Sequence, residues 1–213
     1  MKTDDLIALL AADASAVEQH TASRRLALAV AAALPVSVGL LLAGYGLRRD
    51  IADVVGAPMF WVKLLVPVCM ALAAFVAVQR LARPGVRVGA AWWALATPAA
   101  LLWLLAIFVW TGASEPERSA MLWGVSWRIC MASIALMALP VFVAAFGVLR
   151  GMAPTRPALA GAAAGALAGS VGASVYALHC MELAAPFLAV WYVGGIALST
   201  AAGAALGPRL LRW

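Results

Sequence analysis

The chain has few charged residues and few of the side chains that enzymes use. Of its 213 residues, 11% are charged and 66% are hydrophobic, whereas about a quarter of a soluble domain is charged. It has two histidines and three cysteines, and it contains no C-x-x-C pair, no H-E-x-x-H, no G-x-S-x-G and no phosphate-binding loop. These absences exclude a soluble globular domain and argue against an enzyme or a bis-histidine haem protein. The mean hydropathy of +1.00 predicts an integral membrane protein.

The basic charge balance does not follow a nucleic-acid-binding pattern. The net charge is +6, but the basic residues are scattered among short connectors and do not form a patch with interleaved aromatics. This scatter is typical of membrane topology selection, so we expect no direct nucleic-acid partner. The N-terminus carries acidic residues where a signal peptide has basic ones, so residues 1–25 are expected to stay on the chain, in the cytosol.

Six apolar runs of about 20 residues or more are long enough to cross a lipid bilayer. They cover residues 26–47, 59–82, 88–111, 121–149, 158–178 and 186–206. The connectors are short, so consecutive spans are expected to be antiparallel. The sequence therefore predicts an all-α, polytopic membrane protein: a cytosolic segment, 1–25, followed by an antiparallel bundle of six transmembrane helices, 26–213.

The distribution of Lys and Arg predicts the orientation of these spans. Ten of the 15 basic residues fall on the side of the N-terminus, which places both termini in the cytoplasm of a bacterial inner membrane. Lys63 lies about one turn inside the second span, where its side chain is expected to extend to the outer surface. No span carries a carboxylate at mid-depth, which argues against an ion-coupled transporter.

Residues 1–25 contain a short predicted amphipathic helix. Thr3 is a candidate N-cap, and Asp4 and Asp5 stand in the first turn, where carboxylates favour the helix dipole. The residues that share one face are Leu6, Leu10, Ala14 and Val17. Two interpretations stay open: a helix that rests on the membrane, against which the acidic start argues, and a peptide that folds into a groove on a soluble partner.

The fifth span carries a regular series of small residues. Gly161, Gly165 and Gly169 recur every fourth residue and therefore share one helix face. Such a series lets two helix backbones approach closely. Packing inside the bundle is the favoured interpretation, and a homo-oligomer formed through these glycines is the alternative.

The connector before the sixth span reads Y-A-L-H-C-M-E-L-A-A-P, residues 176–186, and is predicted to face outward. Its Cys180 and the Cys130 of the fourth span are expected at about the same depth. A structural disulfide, a reversible thiol switch, and a soft-metal site shared with His179 and Glu182 all stay open.

Two basic residues and a third cysteine complete this inventory. Arg128 and Lys63 lie at a similar depth, where a positive charge would favour a reactive thiolate. Cys69 lies in the middle of the second span and is interpreted as a small hydrophobe without a role.

Over essentially its whole length the chain resembles the NrsF family of membrane anti-sigma factors. The resemblance rests on M-K-T-D-D-L-I-A-L-L-A-A-D at the start, W-R-I-C in the fourth span and H-C-M-E-L-A-A-P-F-L-A-V-W-Y near the sixth. The N-terminal motif positions are Thr3, Asp4, Leu6, Ile7, Leu10 and Asp13. The second motif falls on His179, Cys180, Glu182, Pro186, Trp191 and Tyr192.

The resemblance implies a function for each motif. The cytosolic N-terminal segment would bind a sigma factor of the extracytoplasmic-function (ECF) type and hold it away from RNA polymerase. Cys130 and Cys180 would sense oxidant or a heavy metal such as chromate or cadmium. No resident cofactor is expected; a soft metal ion would act only as a signal. The alternative is a small membrane transporter or metal-binding protein that uses the same Cys/His/Glu cluster.

Overall fold

The computed structural model describes residues 3–12, 21–83 and 85–212, without the side chains of residues 6, 9 and 10, and each element in these ranges is helical. The elements are α1 (Thr3–Ala12), α2 (Thr21–Gly44), α3 (Ile51–Val54), α4 (Pro58–Leu81), α5 (Ala91–Gly112), α6 (Glu115–Trp123), α7 (Trp127–Arg150), α8 (Pro157–Tyr176), α9 (Ala185–Phe187), a π-helical turn (Leu188–Tyr192) and α10 (Val193–Leu210).

Six helical stretches are long and apolar enough to cross a membrane, which confirms the predicted number of spans and the all-α class. They are Thr21–Gly44, Pro58–Leu81, Ala91–Gly112, Glu115–Arg150, Pro157–Tyr176 and Ala185–Leu210. The fourth stretch is divided into α6 and α7. A capping box between Ser114 and Glu117 starts α6, and Gly124, with φ 49°, ends it.

The small residues of α8 place it in the centre of the bundle, against α10, α7 and α4. Gly161 lies against Gly203, and Gly165 lies against Ser199, so closely that an added Cβ would overlap the facing backbone oxygen. The glycine face is therefore covered by α10 of the same chain. This agrees with packing inside the bundle, and it leaves these glycines buried, with no free surface for a second copy.

Helix α2 lies at the edge of the bundle. Of its most apolar stretch 22% is buried, whereas 72% of the corresponding stretch of α8 is buried. Its main neighbour is α7. Helix α2 begins at Thr21, so it includes residues 21–25, the end of the N-terminal segment, and connects that segment to the rest of the molecule.

The N-terminal helix α1 begins at Thr3, with Asp4 and Asp5 in its first turn as predicted. Thr3 is thus the first helical residue and not the residue that precedes the helix. Its described side chains are exposed, including that of Ile7. Asp13, Ala14 and Val17 lie outside the described residues.

Candidate functional site

Three connectors that are distant in sequence meet at one end of the bundle, which we name the Cys180 end. They are residues 45–57, 113–126 and 177–184. The Arg48 backbone N–H donates to the Leu178 carbonyl at 3.1 Å, and the Val125 N–H donates to Glu182 Oε1 at 2.6 Å. An open cavity of about 710 Å³ lies between the connectors. Its polar lining includes Tyr45, Arg48, Arg49, Asp50, Ser126, His179, Cys180 and Glu182.

The two predicted sensor cysteines come together beneath this cavity. Helix α8 ends at Tyr176, whose carbonyl accepts a hydrogen bond from the Cys180 N–H at 3.0 Å. Cys180 Sγ lies 3.9 Å from Ser126 Oγ, and the Ser126 carbonyl accepts from the Cys130 N–H at 3.0 Å. Both thiols are free and buried. Cys180 lines the cavity, whereas Cys130 lies deeper, one helical turn into α7.

Lys63 does not extend to the surface, and the expectation that it would do so is wrong. The side chain is buried, with 2% exposure. Its ammonium donates to the Cys180 carbonyl at 2.5 Å and to the Glu182 carbonyl at 2.9 Å. It also lies 5.3 Å from the centre of the Tyr192 ring. The connector 177–184 folds back over α4 and offers these carbonyls, so the side chain finds its partners inside the protein and not at a membrane surface.

Arg48 is a second buried cation that contacts the Cys180 backbone. Its Nη1 donates to the Cys180 carbonyl at 3.2 Å, and its Nε and Nη2 donate to both carboxylate oxygens of Asp50 at 2.9 and 2.8 Å. Hydrogen bonding with Asp50 raises the pKa of Arg48 and lowers the pKa of the Asp50 carboxyl. Sequence reasoning counted Arg48 only as a loop charge.

His179 and Glu182 point to other partners than the thiols. His179 Nδ1 lies 3.1 Å from the Gly46 carbonyl oxygen; a carbonyl only accepts, so Nδ1 carries the proton. The Glu182 carboxylate is held by Val125, as described above. Within residues 3–12, 21–83 and 85–212, no three His, Cys, Asp or Glu side chains form a group that could hold a metal ion.

Arg128, predicted to lie near the thiols, is exposed and stacks on an aromatic ring instead. Its guanidinium lies 5.3 Å from the centre of the Trp127 ring. Trp127, Trp123 and Trp191 form a cluster with ring centres 4.8 to 5.7 Å apart. Trp191 Nε1 also donates to the Leu122 carbonyl at 2.8 Å. Trp191 of the second motif thus connects the start of the sixth apolar stretch to α6. The cations that lie near the thiols are Lys63 and Arg48, and not Arg128.

Tyrosines lie near the thiols and reach the end of α2 at the Cys180 end. The Tyr45 hydroxyl lies 2.9 Å from Ser133 Oγ of α7, and the Tyr45 ring lies 5.2 Å from the His179 ring. Tyr176 and Tyr192 have buried hydroxyls with no hydrogen-bond partner among the described residues.

Comparison with known proteins identifies relatives over the full chain. The family model described as "Negative regulator of sigma F" (NrsF) matches residues 10–213. The chain is 44% identical to a probable anti-sigma-F factor NrsF of Azospira oryzae and 39% identical to an anti-sigma-F factor NrsF of Caulobacter vibrioides. Each match covers 100% of both proteins. No solved structure matches the chain.

Proposed function

The chain belongs to the NrsF family of negative regulators of sigma F, and on that premise we propose that it is a membrane-bound anti-sigma factor for an ECF sigma factor. The observation that carries the proposal is the match to two anti-sigma-F factors over their full length. Membership of this family implies a regulatory role and a sigma-factor partner. We further propose that the N-terminal segment holds the sigma factor and that Cys130 and Cys180 trigger its release.

The proposed setting is the bacterial inner membrane, with both termini in the cytoplasm and the Cys180 end facing outward. The excess of Lys and Arg at the other end supports this orientation. The spans are proposed to form an antiparallel bundle in contact with lipid. The glycine pairs support this arrangement, because Gly161, Gly165 and Gly169 meet residues of decreasing number, namely Gly203, Ser199 and Ile196.

Sigma-factor binding is proposed for residues 1–25, on the motif Thr3, Asp4, Leu6, Ile7, Leu10 and Asp13. Two observations support it: α1 is exposed, and Ile7 presents 59% of its surface. An isolated helix of this length is marginal in water and needs a surface to fold against. A groove on the sigma factor would supply that surface.

Helix α2 is the proposed connection between the thiols and the sigma factor. The chain just after α2 is linked to the connector 177–184 through Gly46, which accepts from His179, and through Arg48, which contacts Leu178 and Cys180. The first turn of α2 contains the last residues of the N-terminal segment 1–25. Oxidation or metal binding at Cys180 would change the connector that holds α2, and a peripheral helix can shift with little repacking of α8 and α10.

Co-purification of the sigma factor with the full-length protein tests the binding proposal. We expect Leu6→Asp with Leu10→Asp to abolish co-purification, because both charges enter the predicted apolar face. Ala8→Asp with Ala12→Asp is the matched control, since it places the same two charges at the same spacing on the opposite face. Failure of the wild-type protein to retain any sigma factor would sink the proposal.

The response to oxidant or heavy metal tests the role of the thiols. Cys130→Ser and Cys180→Ser are each expected to abolish release of the sigma factor, while Cys69→Ser should behave like wild type. A full response in both of the first two variants would exclude the thiol trigger. That result would not affect the proposal that the protein binds a sigma factor, because binding is measured by co-purification without oxidant or metal.

A further inference from the structure

Lys63 has a buried positive charge that forms no ion pair with a carboxylate of the described residues. In the part of the chain that the structure describes, the ion pairs are Arg48 with Asp50 and Arg118 with Glu115, and Lys63 belongs to neither. Its partners are two backbone carbonyls and the face of the Tyr192 ring. Carbonyl dipoles compensate an ammonium only in part, and burial of a charge without an opposite charge is energetically costly. Charged groups kept inside a membrane span are usually functional.

The groups around Lys63 limit what could supply the missing negative charge. Asp50 already forms two hydrogen bonds with Arg48. Glu182 offers Lys63 its carbonyl, while its carboxylate turns to Val125. The thiols of Cys180 and Cys130 are the other acidic groups near the ammonium, which lies 2.5 Å from the carbonyl oxygen of Cys180 itself. A thiol ionises far more readily than the phenol of Tyr192.

Access distinguishes the two thiols. Cys180 lines the open cavity of about 710 Å³, which is large enough for a small reactive molecule. Both cysteines are buried, with 2% exposure for Cys180 and 0% for Cys130, but Cys130 does not line the cavity. A molecule that enters the cavity therefore meets Cys180 first.

We propose that Lys63 is the counter-ion of Cys180, and that the ammonium–thiolate pair makes Cys180 the first site of attack for small thiol-reactive electrophiles. The inference rests on the proposed role of the cysteines as the trigger. In alkylation by iodoacetamide, the sulfur lone pair forms a carbon–sulfur bond, iodide leaves, and the ammonium keeps its proton. The product is neutral, so Lys63 loses its counter-charge while it still binds the Cys180 and Glu182 carbonyls. Lys63 thereby acts as a positioning residue that couples the charge of the sulfur to the connector.

A purely structural lysine that only clamps the connector predicts the opposite change in reactivity. Removal of a clamp would loosen residues 177–184 and expose Cys180, which speeds alkylation. Removal of a counter-ion would deplete the thiolate, which slows alkylation. The direction of the rate change therefore separates the two roles.

The test is the alkylation rate of the full-length protein in lipid nanodiscs, in a Cys69→Ser background, at one fixed pH. Peptide mass spectrometry follows Cys180 and Cys130 separately. We expect Lys63→Met to slow modification of Cys180 about tenfold or more, because a smaller fraction of the Cys180 side chains would be thiolate. Lys63→Arg should stay close to the parent rate. Arg49→Met, which removes an exposed charge from the same cavity, is the matched control and should also stay close. An unchanged or faster rate in Lys63→Met would overturn the proposal.

Thermal unfolding gives a second test that holds if Lys63→Met alone folds poorly. Cys180→Ser is expected to lower the melting temperature, because it strands the ammonium. Adding Lys63→Met to Cys180→Ser should then restore part of that loss. If the double variant instead lost as much melting temperature as the two single variants lose together, the pairing of Lys63 with Cys180 would be contradicted. Neither assay contains a sigma factor, so failure here leaves the anti-sigma proposal standing, and failure of sigma binding leaves the pairing intact.

Discussion

Helices α8 and α2 are both long and apolar, but they occupy opposite environments. Helix α8 is surrounded by α4, α7 and α10, and its glycines bring its backbone against that of α10. Helix α2 sits at the edge, with most of its surface outside the bundle. At the Cys180 end, however, Gly46 and Arg48 tie the chain just after α2 to the connector that follows α8. Helix α8 is therefore packed on several sides, whereas α2 packs mainly against α7 and is tied to the connector 177–184 just beyond its end.

The largest effect is expected where the contrast depends on close backbone packing. Gly165→Leu should prevent accumulation of folded protein, because even a Cβ at Gly165 would overlap the Ser199 carbonyl and Thr200 Cα; overpacking of this kind costs roughly 1–3 kcal/mol or more. Gly39→Leu in α2 is the matched control, with no atom within 4 Å of its Cβ position. Yield and size-exclusion profile measure both. Equal tolerance of the two variants would remove the distinction between the helices.

An intermediate effect is expected at the turn that supports the connector. Gly124 has φ 49° and ψ −158°, a conformation open almost only to glycine, and a Cβ there would lie 2.6 Å from the Glu182 carboxylate. Gly124→Ala should therefore cost about 1–3 kcal/mol in backbone strain and detach Glu182 from Val125. Gly85→Ala is the matched control, because Gly85 also has a positive φ but a Cβ there would have no neighbouring atom within 4 Å. Melting temperature and Cys180 alkylation should both change in the first variant, whereas alkylation should be unaltered in the second.

The smallest effect is expected at the salt bridge that fixes Arg48. The Asp50 pKa is lowered by its hydrogen bonds from Arg48, so the pair stabilises the fold above the ordinary carboxyl pKa of about 3.9. This contribution is lost as pH falls through the lower folded pKa. Wild type should be more stable than Asp50→Asn at pH 7, and the difference should shrink below about pH 4. Asp53→Asn, an exposed neighbour, serves as control; a difference independent of pH would contradict the ionic origin.

The sequence could predict the spans because a bilayer imposes a local requirement, about 20 apolar residues in a row. It could also predict that Cys130 and Cys180 share one end, since alternating spans return there. The burial of Lys63 could not be predicted in this way. It depends on a connector 117 residues further along the chain that folds back and supplies carbonyls. Hydropathy registers Lys63 only as a charge near a helix end, although any charge inside a span is itself a signal of function.

The π-helical turn Leu188–Tyr192 also has a geometric consequence for the sixth span. A π-turn holds one residue more than an α-turn, so it offsets the angular phase of the helix on its two sides by about 100°. On one side, α10 keeps Ser199 and Gly203 in register with α8. On the other, Pro186 and Phe187 are buried at the opposite end of the turn. In a continuous α-helix, the residues that face one neighbour follow a single periodicity along the whole helix. The extra residue of the π-turn shifts that periodicity, so the two halves of this span present different faces to different neighbours. Tyr192 lies at the junction of the two halves, beside Lys63.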